Sequence, residues 1–362
     1  MMMVWATALI GLAMALCALF VPLTRHLAVR LNMMDIPGRH KAHARAVPLL
    51  GGVAIFLAIA IPSAGDMALA AYWAAQGAQA WLPANLKIHL PGVAAKTPQA
   101  MGILAAALAM HIMGLIDDRK SLGPWIKLVG QFVICGAVVG GCNVRVLTMA
   151  GPTLSILATT LWLVAITNSF NFLDNMDGLA AGVAALCAAA LLGAAASLGQ
   201  LFVSAWLCLI AGAALGFLLH NFPPASTFMG DAGSLALGFL LGVVSCLTTY
   251  VPPGTTHYLY GLLAPLIVMA VPLYDTISVM ALRIRAQHNP MVGDRRHFSH
   301  RLVRRGMSPR SAILTIYLCT AATAISATLL PMVSSASGAA LIFLQTLAIL
   351  GVIAFLEGGE AV

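Results

Sequence analysis

Apolar residues run along this chain in stretches of membrane-spanning length, broken by short polar segments. A run of about 20 apolar residues is long enough to cross the hydrocarbon layer of a bilayer as a helix. Eleven stretches fit: 2–24, 49–64, 99–116, 124–141, 153–170, 179–196, 201–219, 234–250, 258–281, 310–331 and 338–356. In lipid a helix satisfies its own backbone hydrogen bonds, so the pattern predicts an all-α polytopic membrane helix bundle. About eleven transmembrane helices are expected, within one integral membrane domain over 1–362. The first run starts at Met, a second follows, and no small-residue cleavage site separates them. It reads as a retained helix rather than a removed signal.

Composition agrees with the pattern. Of 362 residues, 61% are hydrophobic and only 8% charged, with mean hydropathy +0.95. A soluble domain carries about 25% charged residues. The seven cysteines lie mostly inside apolar runs without paired spacing, which argues against a disulfide framework or a zinc site.

Charge sets an orientation. When alternate loops are assigned to opposite sides, 16 of the 19 Lys and Arg residues fall on one side. The other side receives Lys87, Lys96 and Arg145. The positive-inside rule makes the basic side cytoplasmic, with the N-terminus outside and the C-terminus inside. The long segment 65–98 is then an external loop, and the cytoplasmic loops are 25–48, 117–123, 171–178, 220–233 and 282–309. Excess basic charge at that face suits anionic lipid or anionic substrates, and no nucleic-acid partner is expected.

The cytoplasmic loops carry the chemistry. HIMGLIDDRKSLGPWIK places Asp117 and Asp118 side by side after the third run, with Lys127 beyond them. TNSFNFLDNMDGLAAG repeats Asn168, Asn171, Asp174 and Asp177 every third residue, a polar stripe if it lies on a helix end. HNFPPASTFMGDAGSLALG carries Phe228 and flanks Asp231 with Gly230 and Gly233, then opens a helix whose free amides would attract phosphate. The plainer reading makes Asp231 a helix cap. GDRRHFSHRLVRRGMSPR sets His297 and His300 among five arginines up to Arg305, Arg301 included, suited to phosphate or to a lipid surface. GRHKAHARAVPLLGG adds Lys41 and His43 before a glycine pair. His111 reads as making a helix-packing hydrogen bond, and Asp275 as a structural acid paired with Arg283.

Five carboxylates ending at one membrane face repel unless a cation sits among them. Oxygen ligands without nearby cysteine favour Mg²⁺ or Mn²⁺, and Mg²⁺ binds through one or two carboxylates plus substrate phosphates. A phosphorylated substrate at the boundary of cytosol and membrane follows.

Taken together, LIDDRKSLGPWIKLVGQ, TNSFNFLDNMDGLAAG, NFPPASTFMGDAGSL and the histidine loop resemble the polyprenyl-phosphate N-acetylhexosamine-1-phosphate transferases. The resemblance runs in order from about Arg39 to Pro309, and the eleven spans are more similar to the GlcNAc-1-phosphate initiating branch than to the ten-span phospho-MurNAc-pentapeptide translocase. It implies that a UDP-N-acetylhexosamine and undecaprenyl phosphate give undecaprenyl-diphospho-sugar and UMP at the inner membrane, the first membrane step of an envelope polysaccharide. It also implies roles. Asp117 and Asp118 would sit at the reaction centre, and Asp231 with Asn171 would hold the metal. Phe228 would stack on uracil. Asn168, Asp174 and Asp177 would hold nucleotide and diphosphate, while Lys127, His297, His300, Arg301, Lys41 and His43 would steady phosphate and sugar. A homodimer is compatible with this reading.

Three positions depart from that pattern. Asn175 follows Asp174 where glycine is usual, and a left-handed turn there would suit asparagine. The histidine loop reads His297-Phe298-Ser299-His300 instead of His-x-His-His, and Leu49 and Leu50 replace the basic residue before Gly51. Other classes fit less well. A transporter would place its acids at mid-membrane on broken helices, and no such pair is evident in the sequence. A CDP-alcohol phosphotransferase would need Arg at Gly182, and a membrane prenyltransferase a third spaced acid after Asp118.

Overall fold

The computed structural model describes residues 2–36, 46–77, 87–250, 259–287 and 296–358. Among them the chain forms helices α1 (Met2–Arg30), α2 (Gly51–Gln76), α3 (Leu90–Arg119), α4 (Pro124–Gly141), α5 (Pro152–Leu173), α6 (Leu179–Ser197) and α7 (Leu201–Asn221). There follow α8 (Gly230–Leu247), α9 (Ala264–Val268), α10 (Ala270–Arg285), α11 (Phe298–Arg304), α12 (Pro309–Leu329) and α13 (Ala336–Gly358). Two-residue strands β1 (Met34–Asp35) and β2 (Val47–Pro48) pair antiparallel. Ten helices among the described residues are long and apolar enough to span a membrane, and the bent pair α9–α10 would make eleven. The protein is an all-α multi-pass membrane bundle, as the hydrophobic pattern requires.

Several helix starts follow from proline. Pro124, Pro152 and Pro309 each stand at the head of a helix, where a missing N–H costs nothing and the fixed φ is already helical. Gly123 and Gly151, just before two of them, take positive φ and let the chain turn sharply into the helix.

Helix α8 is the hub. Every residue from Ala232 to Cys246 is buried, and it packs against α2, α3 and α5. By contrast, α1 and α13 are mostly exposed along their spans and face outward. Their bare leucines and phenylalanine match a lipid surround rather than water.

Two expectations need correction. Residues 65–76 and 90–98, predicted as external loop, are helical: α2 runs on to Gln76 and α3 begins at Leu90. The Ala-rich stretch after Gly65 has high helix propensity and carries α2 past its apolar run. The run 258–281 is not one straight helix but bends by 63° between α9 and α10, so a broken helix pair does exist. Pro272, in the first turn of α10, has no N–H to give the Val268 carbonyl, and the ladder breaks there.

Candidate functional site

Asp117 and Asp118 end α3, and successive residues on a helix point about 100° apart. Their neighbourhood is therefore divided. Asp117 accepts from Lys127 Nζ (2.9 Å) through Oδ2 and from the Leu122 amide (2.7 Å) through Oδ1. Asp118 turns inward and accepts from the amides of Asp231 (2.8 Å) and Ala232 (3.1 Å), the first free donors of α8. So Asp118 caps α8 from another helix. The expectation that these amides stand open to phosphate is corrected, and Asp231 is not the cap.

Close backbone approach makes this possible. A Cβ on Gly114 would fall on the Asp231–Ala232 backbone, and a Cβ on Gly230, whose φ is +64°, would strike the Asp118 carboxylate. One turn below, His111 Nδ1 meets the Ala232 carbonyl at 2.9 Å and the ring stacks on Phe56. That is the packing role expected of it.

Asp231 stands free of its own helix. Lys127 bridges it to Asp117 with a second, short contact. Asn171, at the end of α5, donates from Nδ2 to Asp231 Oδ1 and to Ser234 Oγ, both at 2.9 Å. With its NH₂ on the carboxylate, Asn171 orients Asp231. Asp117, Lys127, Asp231 and Asn171, from four helices, thus meet at one point.

The rest of the polar stripe divides. α5 ends at Leu173, so Asp174 and Asp177 lie on the turn beyond it. Asp174 accepts no hydrogen bond among the described residues. Burial, with the carboxylates of Asp231, Asp118 and Asp177 nearby, holds its carboxyl well above the usual range. Asp177, expected to hold substrate, accepts from the Ala225 amide (2.9 Å) and fixes the proline loop. Asn168 faces buried Gln131 of α4 and bonds its amide, a link between helices. Phe228 is half-buried, its amide bound to the Pro48 carbonyl (2.8 Å). Lys41 and His43 lie outside the described residues.

The histidine segment docks beside that turn. Asp275 of α10 is fully buried and, among the described residues, accepts from His297 Nδ1 (2.8 Å) and from the Phe298 amide (3.0 Å), where the sequence suggested Arg283. The Arg283 guanidinium lies over the Phe172 ring, and His297 meets that ring edge-on. Asn175 bonds the Phe172 carbonyl and accepts from Ser299 Oγ at 2.6 Å. It does not take positive φ; Gly178 does. Arg301, predicted to meet substrate, is committed to Glu357 (2.8 Å), Ser278 and the Arg296 carbonyl. His300 is half-buried one turn along α11.

Sequence reasoning missed Gln131, Ser234 and Glu357, which bond the named residues from distant helices, and undervalued Asp275. For Asp275 a signal existed: an acid inside an apolar run is by default functional.

Among the described residues no three His, Cys, Asp or Glu side chains form a ready metal cage. The arrangement offers two carboxylates around one cation position, a third uncompensated acid, and an imidazole nearby. It suits a charged ligand that brings its own oxygens.

The family model described as glycosyl transferase family 4 matches residues 100–249, the segment holding every acid of this cluster. The decaprenyl-phosphate N-acetylglucosaminephosphotransferase of Mycolicibacterium smegmatis is 33% identical, covering 86% of this chain and 79% of that protein. A probable undecaprenyl-phosphate N-acetylglucosaminyl 1-phosphate transferase of Bacillus subtilis is 28% identical over 86% of this chain and 81% of its own length. The undecaprenyl-phosphate alpha-N-acetylglucosaminyl 1-phosphate transferase of Yersinia pestis is 28% identical over 83% and 78%. With a third of its positions shared along most of both chains, and the matched motifs gathered at the head of α8, this chain belongs to glycosyl transferase family 4, the polyprenyl-phosphate N-acetylhexosamine-1-phosphate transferases.

Proposed function

We propose that this enzyme transfers N-acetylglucosamine 1-phosphate from UDP-GlcNAc to a polyprenyl phosphate, undecaprenyl phosphate in the first instance. The products are polyprenyl-diphospho-GlcNAc and UMP, formed at the cytoplasmic face. The observation that carries this reading is the meeting of Asp117, Lys127, Asp231 and Asn171 at one end of a membrane bundle. A water-borne nucleotide sugar and a lipid-borne phosphate can only react where such a site opens at the bilayer surface. The basic loops around it support a cytosolic surface by the positive-inside rule.

In the reaction an oxygen of the lipid phosphate attacks the β-phosphorus of the UDP-sugar. The bond from that phosphorus to the bridging oxygen breaks, and UMP leaves with the electron pair. A phosphate monoester has its second pKa near about 6, so the nucleophile is already ionised and needs no strong base. What the protein must supply is alignment and charge compensation. Lys127 holds Asp117 and Asp231 together and places a positive charge where phosphate oxygens arrive. Asn171 keeps Asp231 turned toward that point, and Asp118 fixes the head of α8 beneath it.

The donor set fits Mg²⁺ or Mn²⁺. Asp117 and Asp231 already flank one cation, the Lys127 ammonium, and Asp174 adds a carboxylate whose neighbours are other acids. Such an ion, held by Asp231 with help from Asp174 or Asp117, would take its remaining ligands from phosphate and water and would offset the diphosphate charge.

The test is purified protein with Mg²⁺, undecaprenyl phosphate and a panel of radiolabelled UDP-sugars. Label should pass to lipid from UDP-GlcNAc with release of UMP. Asp117→Asn and Asp231→Asn should fold and lose about 100- to 1,000-fold in kcat, the scale for removing one preorganised charge contact. No labelled lipid from any UDP-N-acetylhexosamine, or full turnover in Asp231→Asn, would overturn the proposal.

A further inference from the structure

Asp275 sits in α10, outside the acid cluster, in a segment whose sequence suggested only a structural ion pair. Its side chain is fully buried, and both oxygens are used. Oδ2 faces His297 Nδ1 at 2.8 Å, and Oδ1 takes the Phe298 amide at 3.0 Å. One carboxylate therefore fixes both the imidazole and the start of the helix that carries it. The ring is only 6% exposed and is braced edge-on by Phe172, the neighbour of Asn171. His297 Nε2 has no hydrogen-bond partner among the described residues. Elsewhere on α11, Ser299 goes to Asn175 and Arg301 to Glu357.

A buried carboxylate against Nδ1 has a definite chemical consequence. An ionised carboxylate only accepts, so Nδ1 must carry the proton. The neutral ring then presents Nε2 as an acceptor, and the protonated ring presents Nε2–H as a donor with its charge balanced by the acid behind it. Either way the ring cannot flip, and the same atom always faces outward.

We infer that Asp275 is the positioning residue of His297. It holds the imidazole in the Nδ1–H form and aims Nε2 at the bound nucleotide sugar beside the Phe172–Asp174 turn. The inference rests on the transferase reading for what Nε2 meets, but the pairing itself does not depend on it.

Asp275→Asn separates the roles. An asparagine keeps the volume and can still accept the Phe298 amide, but it turns an N–H toward Nδ1 and forces the opposite tautomer. The comparable exchange behind a protease histidine lowers kcat about 10,000-fold. Here the loss in kcat should be at least about 100-fold, with KM for the UDP-sugar changed less than about threefold and the detergent-solubilised protein still monodisperse. In a His297→Gln background the same substitution should cost less than about threefold, because the two residues act as one unit. Asp275→Asn as active as wild type, or equally damaging without His297, would overturn the inference while leaving the transferase reading intact. A wild type that makes no UMP would instead overturn that reading. Nitrogen-15 spectra of histidine-labelled wild type, with His297 assigned by its substitution, provide an independent check. Protonated Nδ1 and bare Nε2 in the neutral ring are expected, and the reverse would overturn the pairing even if Asp275→Asn fails to fold.

Discussion

At the head of α8 the chain comes together backbone to backbone; at α11 it is held by the tips of long side chains. Around α8, Gly114 and Gly230 remove the side chains that would keep α3 away, and Asp118 bonds the α8 amides directly. Around α11, Asp275, Asn175 and Glu357 reach across from three different segments to His297, Ser299 and Arg301. The first arrangement has no slack, because moving α8 disturbs the contacts of Asp118 and Asp231 together. The second can be retuned one side chain at a time. Charge compensation at a transferred phosphoryl group needs the first kind of placement. Accommodation of different sugars is better served by the second.

The comparison is broken most severely by Gly114→Val. Its branched side chain would collide with the Asp231–Ala232 backbone, and no rotamer avoids a clash that begins at Cβ. Overpacking costs about 1–3 kcal/mol even where side chains can yield. Here backbone must yield, so turnover should fall below about one-thousandth of wild type and the thermal midpoint should drop by several degrees. Near-normal activity in a thermal-shift-matched preparation would show that the α3–α8 contact is looser than the geometry says.

A smaller effect, of opposite sign, is expected at Asp174. Its carboxyl is raised well above the ordinary range by burial and by Asp231, Asp118 and Asp177. A raised native pKa means the folded state binds the proton more tightly than the unfolded state. This contribution to stability is present below the unfolded pKa, about 4, and is lost as pH rises toward the folded value. Without metal or substrate, Asp174→Asn should therefore be more stable than wild type at neutral pH, and the gap should close on acidification toward pH 4. Catalysis should fall in the same variant, the exchange of stability for function common at charged sites. An Asp174→Asn midpoint at or below wild type in chelator at pH 7 would contradict the crowded-acid picture.

How much of this was legible beforehand differs between the two regions. The spans, the bundle and the gathering of Asp117, Asp118, Asp174 and Asp231 could be read because each lies at the end of an apolar run, and the ends of runs share a surface. What could not be read was direction. Nothing in DDRK says that Asp117 faces Lys127 while Asp118 caps α8; that is settled by which side of α3 meets another helix. Nor does the three-residue repeat reveal that Asn168 is taken by Gln131, or that α5 stops before Asp174. The bend before α10 escaped because Pro265 and Pro272 fall within an apolar run, where hydropathy alone predicts a straight span. Around α11 the partners lie 22 to 124 residues away, as with Asp275–His297 and Asn175–Ser299. Local pattern carries no record of such pairs.

The smallest effect sharpens the comparison most. Asn175 and Ser299 are the two residues that depart from the family pattern in their respective loops, and they are bonded to each other at 2.6 Å. One departure therefore answers the other across the gap between the α5–α6 turn and α11. Ser299→Ala removes a single neutral hydrogen bond, worth about 1 kcal/mol, and leaves Asn175 Oδ1 without that donor. Asp275 still holds His297, so α11 should stay docked. The expected result is a thermal midpoint within about two degrees of wild type and a three- to tenfold change in kcat/KM, roughly what about 1 kcal/mol allows. Asn175→Ala breaks this contact and its bond to the Phe172 carbonyl as well, so it should cost at least as much, and the double variant should lose no more than Asn175→Ala alone. Additive losses would mean that the two residues act separately, and that the histidine helix is anchored to the acid-bearing turn by something other than this bond.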